Sequence, residues 1–132
     1  MRKELQQQLF ERFPWTRAPQ EADNLWSRYG FDIGDGWYNL IHELFFDIEG
    51  VYHAKALEVS VDFAQIKQKF GALSIYTRNP LPEVSDLIVK YQERSIGTCE
   101  KCGDRGELRQ QVGCWKVICD NCFNRITERT VN

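Results

Sequence analysis

Four cysteines stand in two close pairs, Cys99-x2-Cys102 and Cys119-x2-Cys122, with sixteen residues between the pairs. Each pair can close a short chelate, and four thiolates satisfy one tetrahedral Zn²⁺. Soft sulfur donors with no histidine in the set select Zn²⁺ over Mg²⁺ or Ca²⁺. With every position filled by protein, no place is left for water or substrate, so a site of this kind is structural. The metal expectation therefore concerns how the last third of the chain folds and says nothing of a reaction. Reading the pairs as redox dithiols would require a βαβ setting, which is missing. The fifth thiol, Cys114, suits neither pair, and beside Trp115 it reads as a small buried apolar residue.

A second group with chemical reach is Lys67-Gln68-Lys69-Phe70-Gly71-Ala72-Leu73, followed by Tyr76 and Arg78. Two lysines, an arginine and rings on one hairpin can clamp an anionic, planar ligand by charge and stacking. Trp37, near a helix start, can add a wall. The plainer alternative is a hairpin with one core face and one solvated face, in which Phe70 and Trp37 are core residues. Elsewhere the chemistry thins out. His42-Glu43 would open a zinc-protease motif, but Phe46 occupies the place of its second histidine. His42 thus reads as a partly buried surface residue and His53 as a loop residue. Asp32, Asp35, Glu43, Asp47 and Glu49 form an acidic group without the Asp-x-Asp-x-Asp-Gly pattern of a calcium loop, so a solvated face is expected. A glycine-rich phosphate loop, a Gly-x-Ser-x-Gly elbow and a Cys–His pairing outside the metal set are all missing. No catalytic residue is assigned, and an enzyme is not expected.

Positioning these residues falls to a small set of elements. Leu5, Leu9, Phe10 and Phe13 predict a helix over residues 2–13, ended by Pro14. Residues 15–34 lose the period and read as an ordered, ring-rich loop with room for a short helix over 21–29. Asp35 suits an N-cap for a second helix over about 36–49, with Gly50 as its C-terminal cap. Alternation from Leu57 to Thr77 predicts strands about a two-residue Gly71-Ala72 turn of type II′. Pro82 opens a third helix that ends near Ser95–Gly97. Around the metal, Glu107–Gln111 and Cys114–Ile118 pair across Val112-Gly113, and Phe123–Arg129 suits a short helix. The expected fold is therefore α+β, with three helices, a central β-hairpin and a C-terminal treble-clef zinc ribbon. Residues 1–97 form the helical and hairpin part, and 98–132 a module packed on it.

Charge narrows the partners. The 132 residues carry a formal charge of −2, and four thiolates with one Zn²⁺ would take this to −4. Residues 1–60 hold ten acids against six bases, and 61–132 hold nine against eleven. A dense basic field for a phosphate backbone is missing, which makes nucleic acid the lesser expectation. An adaptor of that kind would use Lys101, Arg105, Arg109, Lys116 and Arg125. Met1–Gln8 has no apolar stretch of the signal-peptide kind, and no run nears the ~18 residues of a membrane span. A cytoplasmic setting with reduced thiols is expected. The short first helix and the rings of residues 15–31, which lack an obvious private core, suggest a homodimer.

Gly36-Trp37 opening a helix, Gln65-Ile66-Lys67-Gln68-Lys69-Phe70-Gly71-Ala72-Leu73, and Cys99-Glu100-Lys101-Cys102-Gly103 with Cys114-Trp115 and Cys119 occur in an order that resembles a group of small, mostly uncharacterised bacteriophage and prophage proteins. The resemblance spans about residues 35–125 and departs at Cys114, where glycine is expected, and at Ala72, often glycine. It carries no activity to transfer. It implies a setting, an accessory phage gene expressed in the cytoplasm of a bacterial host. In that setting the expected function is non-enzymatic binding of a host defence component or of a small anionic signal such as a nucleotide, with zinc-ribbon nucleic-acid binding as the alternative.

Overall fold

The computed structural model describes residues 1–111 and 113–131. Leu9 is fully buried on α1 (Lys3–Arg12), and Phe13 follows it into the core before Pro14 diverts the chain into a 3₁₀ turn. Within the ring-rich stretch, Asn24 and Ser27 cap each other's backbone amides and start α2 (Leu25–Tyr29), which buries Trp26. Phe31–Asp32 then forms β1, a strand too short for any alternation to betray it.

The second long helix starts and ends later than expected. Asp35 opens a 3₁₀ turn and does not cap; its carboxylate instead accepts from the Arg2 amide and pairs with the Arg2 guanidinium at 2.9 Å. The helix proper, α3 (Tyr38–Ala54), runs through Gly50 without a break. Tyr52 continues the buried stripe of Leu40, Ile41, Leu44, Phe45 and Ile48, and its hydroxyl donates to the Ser60 carbonyl. One further turn of burial outweighs the roughly 1 kcal/mol cost of an interior glycine. The extension consumes chain that strand alternation had claimed, so Leu57–Val61 lies outside any strand and Leu57 is half exposed.

Two strands follow, β2 (Asp62–Lys69) and β3 (Ala72–Arg78), antiparallel to each other, with β1 added parallel on the far side of β2. Lys69 pairs with Ala72, so the turn residues are Phe70 and Gly71, one place earlier than expected. Both have positive φ, 52° and 89°, the signature of a type I′ turn and not type II′. A bulge between Phe63 and Gln65 resets the alternation, so that Phe63 and Ile66 are both buried.

Pro82 begins α4 (Pro82–Ser95), which buries Val84, Ile88 and Tyr91. This helix also blunts the outer edge of β3. The Leu73 amide donates to Ser95 Oγ and the Ile75 amide to Gln92 Oε1, both at 2.9 Å, leaving these edge groups no vacancy for another strand. The chain ends in β4 (Glu107–Gln111) paired with β5 (Cys114–Ile118), and α5 (Asp120–Val131). Val112, half of the expected turn, lies outside the described residues. The last helix begins at Asp120 and not Phe123, so it carries Cys122 itself.

The α+β class stands, with five α-helices among the described residues where three were expected. None of them is long and apolar enough to cross a membrane. Nineteen buried side chains form the main core, from Leu9 to Tyr91. Trp26 and Phe31 belong to it, and Trp15 packs against it. Trp26 meets Phe31 edge-on at 4.8 Å, and Trp15 packs on Phe45 at 5.4 Å. Among the rings of residues 15–31, Tyr29 is the exception, 63 % exposed on α2.

Candidate metal centre and binding faces

Cys99, Cys102, Cys119 and Cys122 come together, with all four sulfurs within 4.8 Å of one another, and they form a group able to hold a metal ion. Their geometry fits an ion of zinc's size. Four ligands at about 2.3 Å around a tetrahedron place sulfurs about 3.8 Å apart, and the Cys102 and Cys119 sulfurs stand at 3.6 Å, well outside disulfide length. Cys99, Cys119 and Cys122 are buried and Cys102 is exposed.

Backbone amides prepare the site for negative sulfur. The Asp104 amide approaches the Cys102 sulfur at 3.5 Å and the Cys122 amide the Cys119 sulfur at 3.4 Å. Burial pushes the Cys99 thiol up, but amides of Cys119, Cys102 and Lys101 outweigh it and bring it down to about 7. Burial drives Cys102 up to about 12, helped by the neighbouring thiols, and raises Cys122 in the same way. Four thiols this close oppose one another's ionisation, and a divalent cation would release that opposition. Cys114 is exposed at the start of β5 and stays outside the group, so the expectation that it is buried is corrected.

The turn that carries Cys99 and Cys102 is locked to the start of α3. Gly103 takes φ 87° and its amide donates to the Cys99 carbonyl at 2.9 Å, folding the chain back between the ligands. Gly36 lies flush against this turn. Its amide donates to the Glu100 carbonyl at 2.7 Å, and a Cβ there would meet the Cys99 carbonyl oxygen at 2.2 Å. Glu100 also accepts from the Gly34 amide at 2.9 Å, and the Trp37 indole donates to the Thr98 carbonyl at 2.8 Å. Trp37 is wholly buried, so it serves as a peg between the main core and the cysteine turn and offers no wall to a ligand.

The hairpin divides into faces as its register requires. Phe31, Ile66 and Ile75 form a buried row, while Asp32, Lys67 and Ser74 form the next row on the opposite face. Lys69 reaches along that second face until its ammonium is 3.3 Å from the Tyr76 hydroxyl. Hydrogen bonding by Ser74, then by Lys69, holds Tyr76 below the ordinary phenol range. Phe70 is 76 % exposed at the tip, which overturns its assignment to the core; a type I′ turn aims its side chain into solvent. Arg78 pairs opposite Asp62 at the far end, six residues beyond Ala72 and thus roughly 20 Å along the strand. It cannot close a clamp with Lys69. The tip leans on the cysteine unit, where Gly71 faces Leu108 and Gln68 donates to the Trp115 carbonyl at 2.9 Å.

Several other sequence candidates resolve into structural contacts. Glu43 pairs with Arg94 at 2.8 Å, Glu49 with Arg12 at 3.0 Å, and Asp47 accepts from Tyr91, so these three acids have separate partners. His42 lies edge-on to Phe13 at 4.9 Å. Arg109 pairs with Asp120 and stacks over Phe123 at 4.5 Å, which removes it from the expected basic set. The residues that sequence reasoning passed over are Gly34, Thr98 and Glu100; nothing in spacing or residue type pairs positions more than sixty residues apart. Comparison with protein-family models, with curated proteins and with solved structures returned no match.

Proposed function

We propose that this chain is a non-catalytic binding protein, held in shape by one structural Zn²⁺, that docks on an acidic surface of a partner protein through the open face of its hairpin. We read the order of turn, hairpin and ligand-bearing helix as a treble-clef ribbon, with Cys99, Cys102, Cys119 and Cys122 as ligands. The bound ion would supply cross-linking and charge balance, since four thiolates leave it no open position. The observation that carries the docking reading is the Lys69–Tyr76 contact, 3.3 Å across a sheet face that also presents Lys67, with Phe70 exposed at its tip. Tyrosine and phenylalanine are among the side chains protein interfaces favour, and the two lysines steer an acidic partner by charge. Lys67, Lys69 and Tyr76 lie along one open face of the β2–β3 hairpin, a layout suited to a protein surface. The phage resemblance supplies the setting, a bacterial cytoplasm and a host defence component as target. The test is the double variant Lys67→Ala/Lys69→Ala in a phage-protection assay. It should lose activity while keeping its fold and its zinc, and full activity in a folded variant would sink the reading.

One observation favours nucleic acid as a second reading. Lys101, Lys116 and Arg125 rim two neighbouring hollows beside the cysteine group. DNA or RNA binding that weakens steeply with salt, and is lost in Lys101→Ala/Lys116→Ala, would favour it.

A further inference from the structure

The largest concavity described in this chain, about 530 Å³, lies between α1 and α2, far in sequence from both the cysteines and the hairpin. We propose that it is a binding site for a small anion carrying a flat ring, of the mononucleotide class. Its charged lining residues are Lys3, Arg17 and Arg28, and no acid lines it. That is a departure from its surroundings, because residues 1–60 carry four more acids than bases. A wholly cationic hollow in an acidic segment concentrates positive potential where low-dielectric walls focus it. Arg28 shares an exposed ion pair with Asp23 at 2.6 Å, which water screens and an incoming phosphate can replace.

The walls supply the complementary chemistry. Phe10, Trp26 and Tyr29 line the same hollow, and Tyr29 is 63 % exposed. Trp26 is fixed by its indole hydrogen bond to the Thr16 carbonyl at 2.9 Å and by packing on Phe10 at 5.9 Å, so this side of the hollow is rigid before any ligand arrives. The Arg17 guanidinium lies 5.0 Å over the Phe10 ring, a cation–π contact that holds its charge against the wall of the hollow. The volume lies within the ~300–1,000 Å³ typical of small-ligand sites. Phosphate on the arginines and lysine, with a base against Tyr29, uses every distinctive group of the hollow. This assignment stands apart from the sheet-face reading and does not depend on it.

The experiment is an NMR titration of the full zinc-loaded chain with AMP, adenosine, pyrophosphate and a short single-stranded oligonucleotide as probes. AMP should shift amides of residues 3–10, 17 and 26–30, and should bind at least about tenfold more tightly than adenosine or pyrophosphate, the factor for losing one charge-assisted or stacking contact. Arg17→Gln should weaken AMP by a similar factor, whereas Lys90→Gln, an equal loss of charge on α4, should leave it unchanged. Four results would overturn the proposal: no shifts at millimolar AMP, shifts confined to residues 67–78, equal weakening by both variants, or pyrophosphate binding as well as AMP. An oligonucleotide that binds more tightly than AMP would overturn the small-molecule assignment.

Discussion

The main core and the cysteine cluster solve the same problem with unequal means. Nineteen buried side chains, eight of them aromatic, knit α1 to α4 and the three-stranded sheet. The second cluster has four buried members, three of them cysteines, with Phe123 and Ile126 packed against it. Fully burying one isoleucine contributes about 1.5–3 kcal/mol, while ordering each backbone residue costs about 1–2 kcal/mol. A unit whose fully buried aliphatic side chains among the described residues are Val117 and Ile118 cannot stand on apolar burial alone. The contrast assigns the first region's order to packing and leaves the second dependent on its four cysteines, a group able to hold a cross-linking metal ion. Gly36 and Trp37 are one place where the two meet, and the hairpin tip is another.

The comparison breaks most visibly at the ligands. Cys119→Ser should drop zinc content from one equivalent to below about half and unfold residues 98–131, because structural zinc supplies apparent binding energies of order 10 kcal/mol. Elemental analysis of purified chains checks this, with Cys114→Ser as the thiol whose loss leaves zinc unchanged. Next in size is Trp37→Ala. Removing a wholly buried ring costs about 3–5 kcal/mol, and denaturant unfolding should show the main core weakened as well as the cysteine unit. A smaller effect, about 1–3 kcal/mol, is expected for Gly36→Ala, where the added methyl must push back the Cys99 backbone. Its signature would be weakened zinc retention against a chelator with α3 intact. Smallest is Phe70→Ala. An exposed turn residue should change stability by no more than about 0.5 kcal/mol, and a loss of ~3 kcal/mol or more in unfolding free energy would return Phe70 to a packed role.

Legibility in the sequence followed the range of the interaction. Local chemistry was readable: the cysteine spacing predicted the cluster, and Pro82 marked the start of α4. The two-residue β1 was hidden because its partner, Ile66, is thirty-five residues away. Gly50 looked like a cap because sequence weighs its propensity and cannot weigh the burial of Tyr52 one turn later. The bulge before Gln65 and the one-place shift of the hairpin turn sent Phe70 outward, a reversal that strict alternation cannot foresee. Three sequence motifs also have a spatial meaning. Gly36-Trp37 and the tip of the Lys-x-Lys-Phe-Gly hairpin both touch the cysteine unit, through Glu100, Thr98, Leu108 and Trp115. Segments far apart in the chain thus form one contact surface.

Hydrogen exchange on the full chain, with zinc bound and after its removal, tests the division most directly. The account predicts that metal removal strips protection from residues 99–123 and from the Gly36 amide, which is bonded to the Glu100 carbonyl. Residues 41–48 of α3 should remain protected, because packing alone holds them. Identical protection in both states, or loss of the two regions together as one unit, would contradict it.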